Sequence, residues 1–149
     1  MFVTREMDHA VRIVRALHRG GQLSAAAIAE RERIPPAMAS KILKMLAGAG
    51  LVSSRRGAGG GYLLSRPCRE LTLLDVFRAL GAEPLVNRCQ EPGYRCENDL
   101  EGICGTHREF CRIQEVLEAE LRRYPLSQVF DARGPADRPS GFPIPIPQD

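Results

Sequence analysis

The chain has 149 residues, 44% of them hydrophobic, which suffices for one buried core and is too little for two ordinary domains. No run of 18 apolar residues occurs, and the start lacks the order of a secretion signal, so we expect a cytoplasmic protein and no membrane association. Residues 1–69 carry 12 Lys or Arg against 4 Asp or Glu, whereas residues 70–149 carry 9 against 14. This uneven charge favours contact of the first half with a polyanion, although a solvated basic surface would show the same bias.

Three helices are predicted in the first fifty residues. Ser24 is placed to cap a short second helix, and Pro35-Pro36 opens a third helix, "AMASKILKMLAGAG", which Gly48 and Gly50 end. Two short helices across a tight turn are typical of a helix-turn-helix. Apolar spacings of three and four predict the inward faces of the first and third helices, which are Met7, Ala10, Val11, Val14 and Leu17, and Met38, Ile42, Met45 and Leu46.

The next segments predict a hairpin and a fourth helix. "LVSSRR" and "GGYLLSR" are typical of two short strands around the loop "GAGG", and "LTLLDVFRAL" predicts a helix capped by Thr72. The fold class is therefore mainly α with a small β-hairpin wing, a winged helix-turn-helix over residues 1–84. A phosphate-binding P-loop is disfavoured because no Gly-Lys-Ser/Thr helix start follows the glycines.

A winged helix of this kind predicts binding to double-stranded DNA. The second helix of the motif enters the major groove, and a wing with Arg and Gly can approach a narrow minor groove and the phosphates. Met38 is predicted both to face the core and to contact DNA. The predicted DNA-binding residues are Met38, Ser40, Lys41 and Lys44 on the helix and Arg55, Arg56, Gly57, Gly59 and Gly60 in the wing.

Residues 85–105 form a cysteine-rich loop, and four of the five cysteines lie between residues 89 and 111. A disulfide knot, a zinc site and an iron-sulfur cluster all use such a pattern. Reduced cytosolic thiols argue against disulfides, whereas zinc and an iron-sulfur cluster remain open from spacing alone. A thiol enzyme that pairs Cys104 or Cys111 with His107 is disfavoured, because no orienting Asn or Asp motif accompanies them.

Residues 106–131 are predicted to form a dimerisation helix. Its apolar residues recur at helical spacing over about five turns, and pairing with a second copy of the chain would cover them. The last segment, residues 132–149, is rich in proline and is predicted to be a disordered tail. The apolar residues of the predicted dimerisation helix form one seam, which consists of Phe110, Ile113, Leu117, Leu121 and Tyr124.

The stretch "LVSSRRGAGGGYLLSRP", followed by "LTLLDVFRALGAEP" and three spaced cysteines, resembles the Rrf2 family of bacterial winged-helix transcriptional regulators over residues 1–131. The resemblance implies a homodimer joined by the long C-terminal helices. It also implies binding to a partly palindromic operator, with repression as the expected action. An iron-sulfur cluster in such a regulator would respond to iron-sulfur status, redox state, a small-molecule oxidant or nitric oxide.

The resemblance also implies a ligand set. The family's ligand cysteines correspond to Cys89, Cys96 and Cys104. "CGTH" resembles a motif of the IscR-like members, whose histidine completes a 2Fe-2S cluster, and the resemblance implies that role for His107. The 2Fe-2S cluster with His107 as its fourth ligand is favoured. In the NsrR-like members an aspartate of the other subunit completes a 4Fe-4S cluster, and Asp8 stands at that place.

Several residues depart from the family pattern. Ser40 stands where the IscR-like members have a base-reading glutamate, so their operator sequence is not carried over to this chain. Cys111 is additional, and is a reserve ligand or a contact in the dimer seam. Cys68 lies far from the loop and is expected to be a small packing residue.

Overall fold

The computed structural model describes residues 4–57, 59–81, 84–98 and 103–131. No helix in these segments is long and apolar enough to span a membrane. The short 3-10 turns Cys68–Glu70 and Arg88–Gln90 lie on either side of α4. The main elements are α1 (Arg5–Gly20), α2 (Ala25–Glu32), α3 (Pro36–Gly48), β1 (Val52–Arg55), β2 (Gly61–Leu64), α4 (Leu73–Ala79), α5 (Gly105–Arg123) and α6 (Leu126–Asp131).

Local capping signals begin the helices at the predicted places. The Ser24 hydroxyl accepts a hydrogen bond from the Ala27 amide at 3.1 Å and starts α2. Thr72 and Asp75 form a reciprocal capping box at the start of α4, and Pro36 occupies the first turn of α3, where its missing amide costs nothing. These interactions satisfy backbone amides that have no partner within the helix. The predicted starts of α2, α3 and α4 are thereby confirmed.

The core lies between α1, α2, α3, α4 and α6, with Val52 of the first wing strand. The inward face of α1 is confirmed, except that Val11 is only half-buried. On α3 the prediction was partly wrong, because Met38 and Met45 are half-buried and two other residues, Ala39 and Leu43, are fully buried. The buried stripe of α3 is Ala39, Ile42, Leu43 and Leu46.

The wing is the predicted antiparallel hairpin. Val52 pairs with Leu64, and Arg55 pairs with Gly61. Leu23 bridges the outer edge of β2 through two hydrogen bonds with Tyr62, of 2.7 and 3.0 Å, which fasten the wing to the connection between α1 and α2. Gly60 is required at the tip, because a Cβ there would lie 2.5 Å from the carbonyl oxygen of Arg55.

The helix predicted over residues 106–131 is two helices. The first, α5, ends at Arg123, because Tyr124 precedes Pro125 and takes an extended backbone conformation. The second, α6, turns back onto the winged helix, where Leu126 and Phe130 are buried. The Leu126 amide donates to the Leu71 carbonyl at 2.7 Å. Leu126 and Phe130 therefore belong to the core of the winged helix, and the predicted tail, 132–149, lies outside the described residues.

Candidate functional site

The segment that carries Cys89 is fastened to α5 by two glutamines. Asn87 and Gln90 form a capping box around the short turn, in which the Asn87 side chain accepts from the Cys89 amide at 3.2 Å. The Gln90 side chain also donates to the Phe110 carbonyl of α5 at 3.1 Å. The spacing "NRCQ" is a capping-box pattern, and this local signal could have identified Gln90 from the sequence.

Gln114 is the buried residue of α5. Its side chain accepts from the Val86 amide at 2.9 Å and donates to the Pro84 carbonyl at 3.1 Å and to Glu118 at 3.2 Å. A buried amide with all these partners stabilises the segment that leads to the first cysteine, whereas an unpaired one would destabilise it. No local pattern marks Gln114, since a glutamine on a helix surface is ordinarily solvated.

Four predicted ligand residues line one cavity of about 420 Å³. Cys104 is the N-cap of α5, and its Sγ accepts a hydrogen bond from the His107 amide at 3.4 Å. The structure thus brings together side chains that are up to 18 residues apart in sequence. The cavity-lining ligand candidates are Cys89, Cys96, Cys104 and His107.

The His107 imidazole lies between two sulfur atoms. Its Nδ1 is 3.3 Å from Cys89 Sγ, and its Nε2 is 3.4 Å from Cys111 Sγ. Two ligands of one tetrahedral metal, with bond lengths of about 2.0 and 2.3 Å, would place nitrogen and sulfur roughly 3.5 Å apart. Both separations at His107, to Cys89 and to Cys111, are close to that value.

The donor set is suited to a cluster of iron and sulfide. Three thiols and one imidazole are soft or borderline ligands of the kind that hold iron-sulfur clusters and zinc. Across the described segments, no group of three His, Cys, Asp or Glu side chains is arranged to hold a metal ion. The candidate ligands line one cavity, and their fit to a cluster rests on the chemistry of the donor atoms.

Asp8 and Cys68 lie outside this arrangement. Asp8 is exposed on the first turn of α1 and forms an ion pair with Arg12 at 3.4 Å; it does not line the cavity of its own chain. Cys68 is buried in the core, and burial together with the nearby charge of Asp131 raises the pKa of its thiol to about 11. Cys68 therefore remains a protonated packing residue.

The candidate DNA-binding residues of α3 differ in exposure. Lys44 is exposed and Ser40 is half-buried, whereas Met38 packs partly against the core and is only half accessible to a DNA base. Lys41 is exposed but forms an ion pair with Glu6 of α1. Sequence reasoning missed Glu6, because this pair joins two separate helices.

The wing presents its two arginines to solvent. Arg55 ends β1, and Arg56 begins the turn, where Gly57 has a positive φ of 103°. The Gln22 side chain donates to the Gly59 carbonyl at 2.6 Å and ties the turn to the end of α1. The exposed basic side chains of α3 and of the wing are those expected to meet the phosphates and grooves of DNA.

The thiol-enzyme hypothesis finds no support in the contacts of His107. A nucleophilic Cys-His pair needs a third group that orients the imidazole. Both ring nitrogens of His107 instead face thiols, those of Cys89 and Cys111. Neither contact is the carboxylate or amide that orients the histidine of a catalytic triad.

Comparison with known sequences places the chain among transcriptional regulators. Residues 3–132 match the Rrf2 family model, described as an iron-dependent transcriptional regulator. The putative HTH-type transcriptional regulator ORF2 of Azotobacter vinelandii is 32% identical over 140 residues, which are 89% of this chain and 83% of the relative. The putative HTH-type transcriptional regulator YwgB of Bacillus subtilis is 35% identical over 77 residues, 50% of this chain and about half of the relative (49%). The regulator IscR of Klebsiella pneumoniae strain 342 is 31% identical over 109 residues, 73% of this chain and 65% of that protein.

Solved structures share the fold at lower identity. IscR of T. potens superposes with a TM-score of 0.70 and 24% identity over 93% of both chains. CymR of B. subtilis, a global cysteine regulator, superposes with a TM-score of 0.65 and 23% identity over 86% of this chain and 95% of that chain. These likenesses confirm the winged-helix fold. Because the family model extends over most of the sequence, the chain belongs to the Rrf2 family, whose members are DNA-binding transcriptional regulators and not enzymes.

Proposed function

We propose that this regulator senses iron-sulfur status, redox state or nitric oxide through an iron-sulfur cluster held by Cys89, Cys96, Cys104 and His107. The observation that carries the proposal is the cavity that these four side chains line together. The contact between His107 Nδ1 and Cys89 Sγ, at 3.3 Å, adds support. The family description as iron-dependent regulators agrees with iron as the metal. The favoured cluster is 2Fe-2S, with His107 in the fourth position.

The chain's own residues supply the ligands and their support. When bound, the cluster would supply a centre that oxidants and nitric oxide can alter, which zinc lacks because it has no redox chemistry. Cys89 is held by the Asn87–Gln90 capping box, and Cys104 and His107 are held by the first turn of α5. A nitrogen ligand in place of a fourth thiolate is suited to a labile, responsive cluster. If Asp8 of a second subunit took the fourth position instead, a 4Fe-4S cluster would be expected.

The ligand-bearing helix is joined to the DNA-binding domain, which supports a regulatory role for the site. Glu118 of α5 accepts from Arg78 of α4 at 3.3 Å and from Gln114 at 3.2 Å. Gln114 in turn holds the segment that leads to Cys89. A change at the cavity can therefore reach α4 through contacts between neighbouring side chains.

We propose a homodimer through the apolar face of α5. Ile113 and Val116, nearly one helical turn apart on α5, are 37% and 53% exposed, which is unusual for large apolar side chains, and Tyr124 just after the helix is 40% exposed. A second copy would cover this face and place two recognition helices on a partly palindromic operator in the cytoplasm. Repression would follow if the operator overlaps a promoter.

Anaerobic purification with iron and sulfide analysis tests the cluster. We expect iron and acid-labile sulfide in equal amounts, and a visible absorbance that nitric oxide or oxygen bleaches. Stoichiometric zinc without visible absorbance would contradict the cluster and favour a zinc-stabilised regulator. A metal-free protein whose DNA binding responds to thiol oxidants would favour thiol sensing.

Removal of the Lys44 charge tests the DNA interface. Lys44→Ala should weaken binding to all DNA sequences and lower the slope of log affinity against log salt by about one, since one phosphate contact is lost. Arg56→Ala should also reduce the preference for sites with a narrow minor groove. Fluorescence anisotropy at several salt concentrations measures both effects. Arg123→Ala, which removes an exposed charge on α5 that pairs with the exposed Glu120, is the matched control, and parental binding by the Lys44 and Arg56 variants would refute the interface.

A further inference from the structure

Cys111 is the half-buried cysteine that the proposed ligand set leaves without a role. It lies one helical turn after His107 on the same side of α5. Its Sγ is 3.4 Å from His107 Nε2, within hydrogen-bond distance for sulfur. The other ring nitrogen, Nδ1, lies 3.3 Å from Cys89 Sγ. The imidazole is thus held at both nitrogens.

The two sulfur contacts of His107 differ in their relation to the cavity. Cys89 lines the cavity together with His107, whereas the cavity wall does not include Cys111. Cys111 therefore contacts Nε2, whereas Nδ1 is the nitrogen that faces a cavity-lining cysteine. This placement separates it from Cys89, Cys96 and Cys104, although all four cysteines lie in the same part of the sequence.

A histidine that binds metal through one nitrogen carries its proton on the other. That N–H usually donates to a carboxylate, a carbonyl or a water, which orients the ring and sets the strength of the metal bond. If Nδ1 of His107 binds, Nε2 carries the proton, and Cys111 Sγ is placed to accept it. Loss of such an outer partner typically costs about 10–100-fold in metal affinity.

We propose that Cys111 is a positioning residue for His107: it accepts a hydrogen bond from Nε2 and keeps Nδ1 directed at the cavity. The proposal rests on the proposed cluster and on His107 as its fourth ligand. It assigns Cys111 neither to the ligand set nor to the dimer seam, the two roles that the sequence left open.

Three single variants and one double variant test this role in the full-length, anaerobically purified protein. Cys111→Ser retains an acceptor and should keep the parental visible spectrum and reduction potential. Cys111→Val has a similar size and no acceptor, and should shift both quantities and shorten the lifetime of the cluster in air by roughly tenfold or more. His107→Ala should shift them in the same direction.

The double variant decides whether Cys111 acts through His107. Cys111→Val combined with His107→Ala should behave like His107→Ala alone, because the hydrogen bond has already lost its donor. Additive effects, or a Cys111→Val protein identical to the parent, would overturn the proposal in favour of a packing role. Loss of the cluster in Cys111→Ser, as expected for Cys89→Ser, would make Cys111 a ligand instead.

A measurement without metal separates this proposal from the proposed function. In metal-free protein labelled with nitrogen-15 at histidine, the Nε2 resonance of His107 should be the same in the parent and Cys111→Ser and should move in Cys111→Val. This pattern in a protein that never binds iron would overturn the proposed cluster and leave the positioning contact standing. A cluster-containing protein in which Cys111→Val changes neither the nitrogen resonance nor the visible spectrum would overturn the positioning role alone.

Discussion

Serine in place of Cys89, Cys96 or Cys104 is expected to abolish the cluster in each variant. Each thiolate fills one iron coordination position, and a hydroxyl at that position binds iron weakly and admits water. The loss should exceed about 100-fold in cluster affinity, since even outer-shell changes cost 10–100-fold. Visible absorbance and iron content of anaerobically purified protein measure it. Retention of parental iron by any one of the three variants would remove that residue from the ligand set.

Cys68→Ala is the matched control for the loss of a thiol. Cys68 is 2% exposed and belongs to the core of the winged helix, so its truncation should cost about 1 kcal/mol of folding free energy and leave the cluster intact. Circular dichroism of each variant confirms that the fold is present. Cluster loss in Cys68→Ala would show that the assay reports folding rather than ligation.

The fourth ligand is decided by a pair of alanine variants. If His107 binds the cluster, His107→Ala shifts the visible spectrum and shortens the cluster lifetime, while Asp8→Ala has neither effect. If Asp8 of the second subunit binds, the two results are exchanged. We expect the first outcome, because Nδ1 of His107 lies beside Cys89 Sγ, whereas Asp8 is exposed and paired with Arg12 in its own chain.

Lysine at Ile113 and Val116 of α5 is expected to convert the dimer into a monomer. The two charges would lie in the exposed apolar face that Ile113 and Val116 form on α5, where their desolvation in a dimer is not offset by a partner. We expect the dimer to weaken by at least about 100-fold, or about 3 kcal/mol. Analytical ultracentrifugation measures the change, and affinity for a palindromic operator should fall with it.

Glu115→Lys is the control, because Glu115 is an exposed charged residue of α5 that does not belong to the apolar pair. An undisturbed dimer in the Ile113 and Val116 variant would refute the α5 interface. Leu121, a residue of the predicted seam, is not used in this test, since it packs against the core of its own chain. Lysine at Leu121 would destabilise the fold and confound the result.

The fold was predictable where its signals are local. Ser24 and Thr72 cap helices through hydrogen bonds that span three residues, so the cap and its acceptor amide are visible in a short stretch of sequence. The wing follows from strand-forming residues on both sides of a glycine turn. The candidate ligand cysteines were predictable from their residue type and spacing, together with the family resemblance.

Contacts between distant segments were decided by the tertiary structure. The return of α6 to the core depends on Leu126 and Phe130. Their spacing is that of an apolar helix face, but the sequence does not reveal against which surface this face packs. The ion pair of Lys41 with Glu6 joins α3 to α1, and the burial of Gln114 depends on the Pro84 and Val86 backbone.

The candidate site shows the same division. From the sequence, the resemblance to the Rrf2 family implied that three cysteines and one histidine are available for a metal, because these residue types stand at the family's ligand positions. Only the tertiary structure decided that His107 turns Nδ1 towards Cys89, 18 residues away, and Nε2 towards Cys111, one turn away. Side-chain direction depends on how the loop packs against α5, and that packing is set by hydrogen bonds of Gln90 and Gln114 that no local pattern encodes in full.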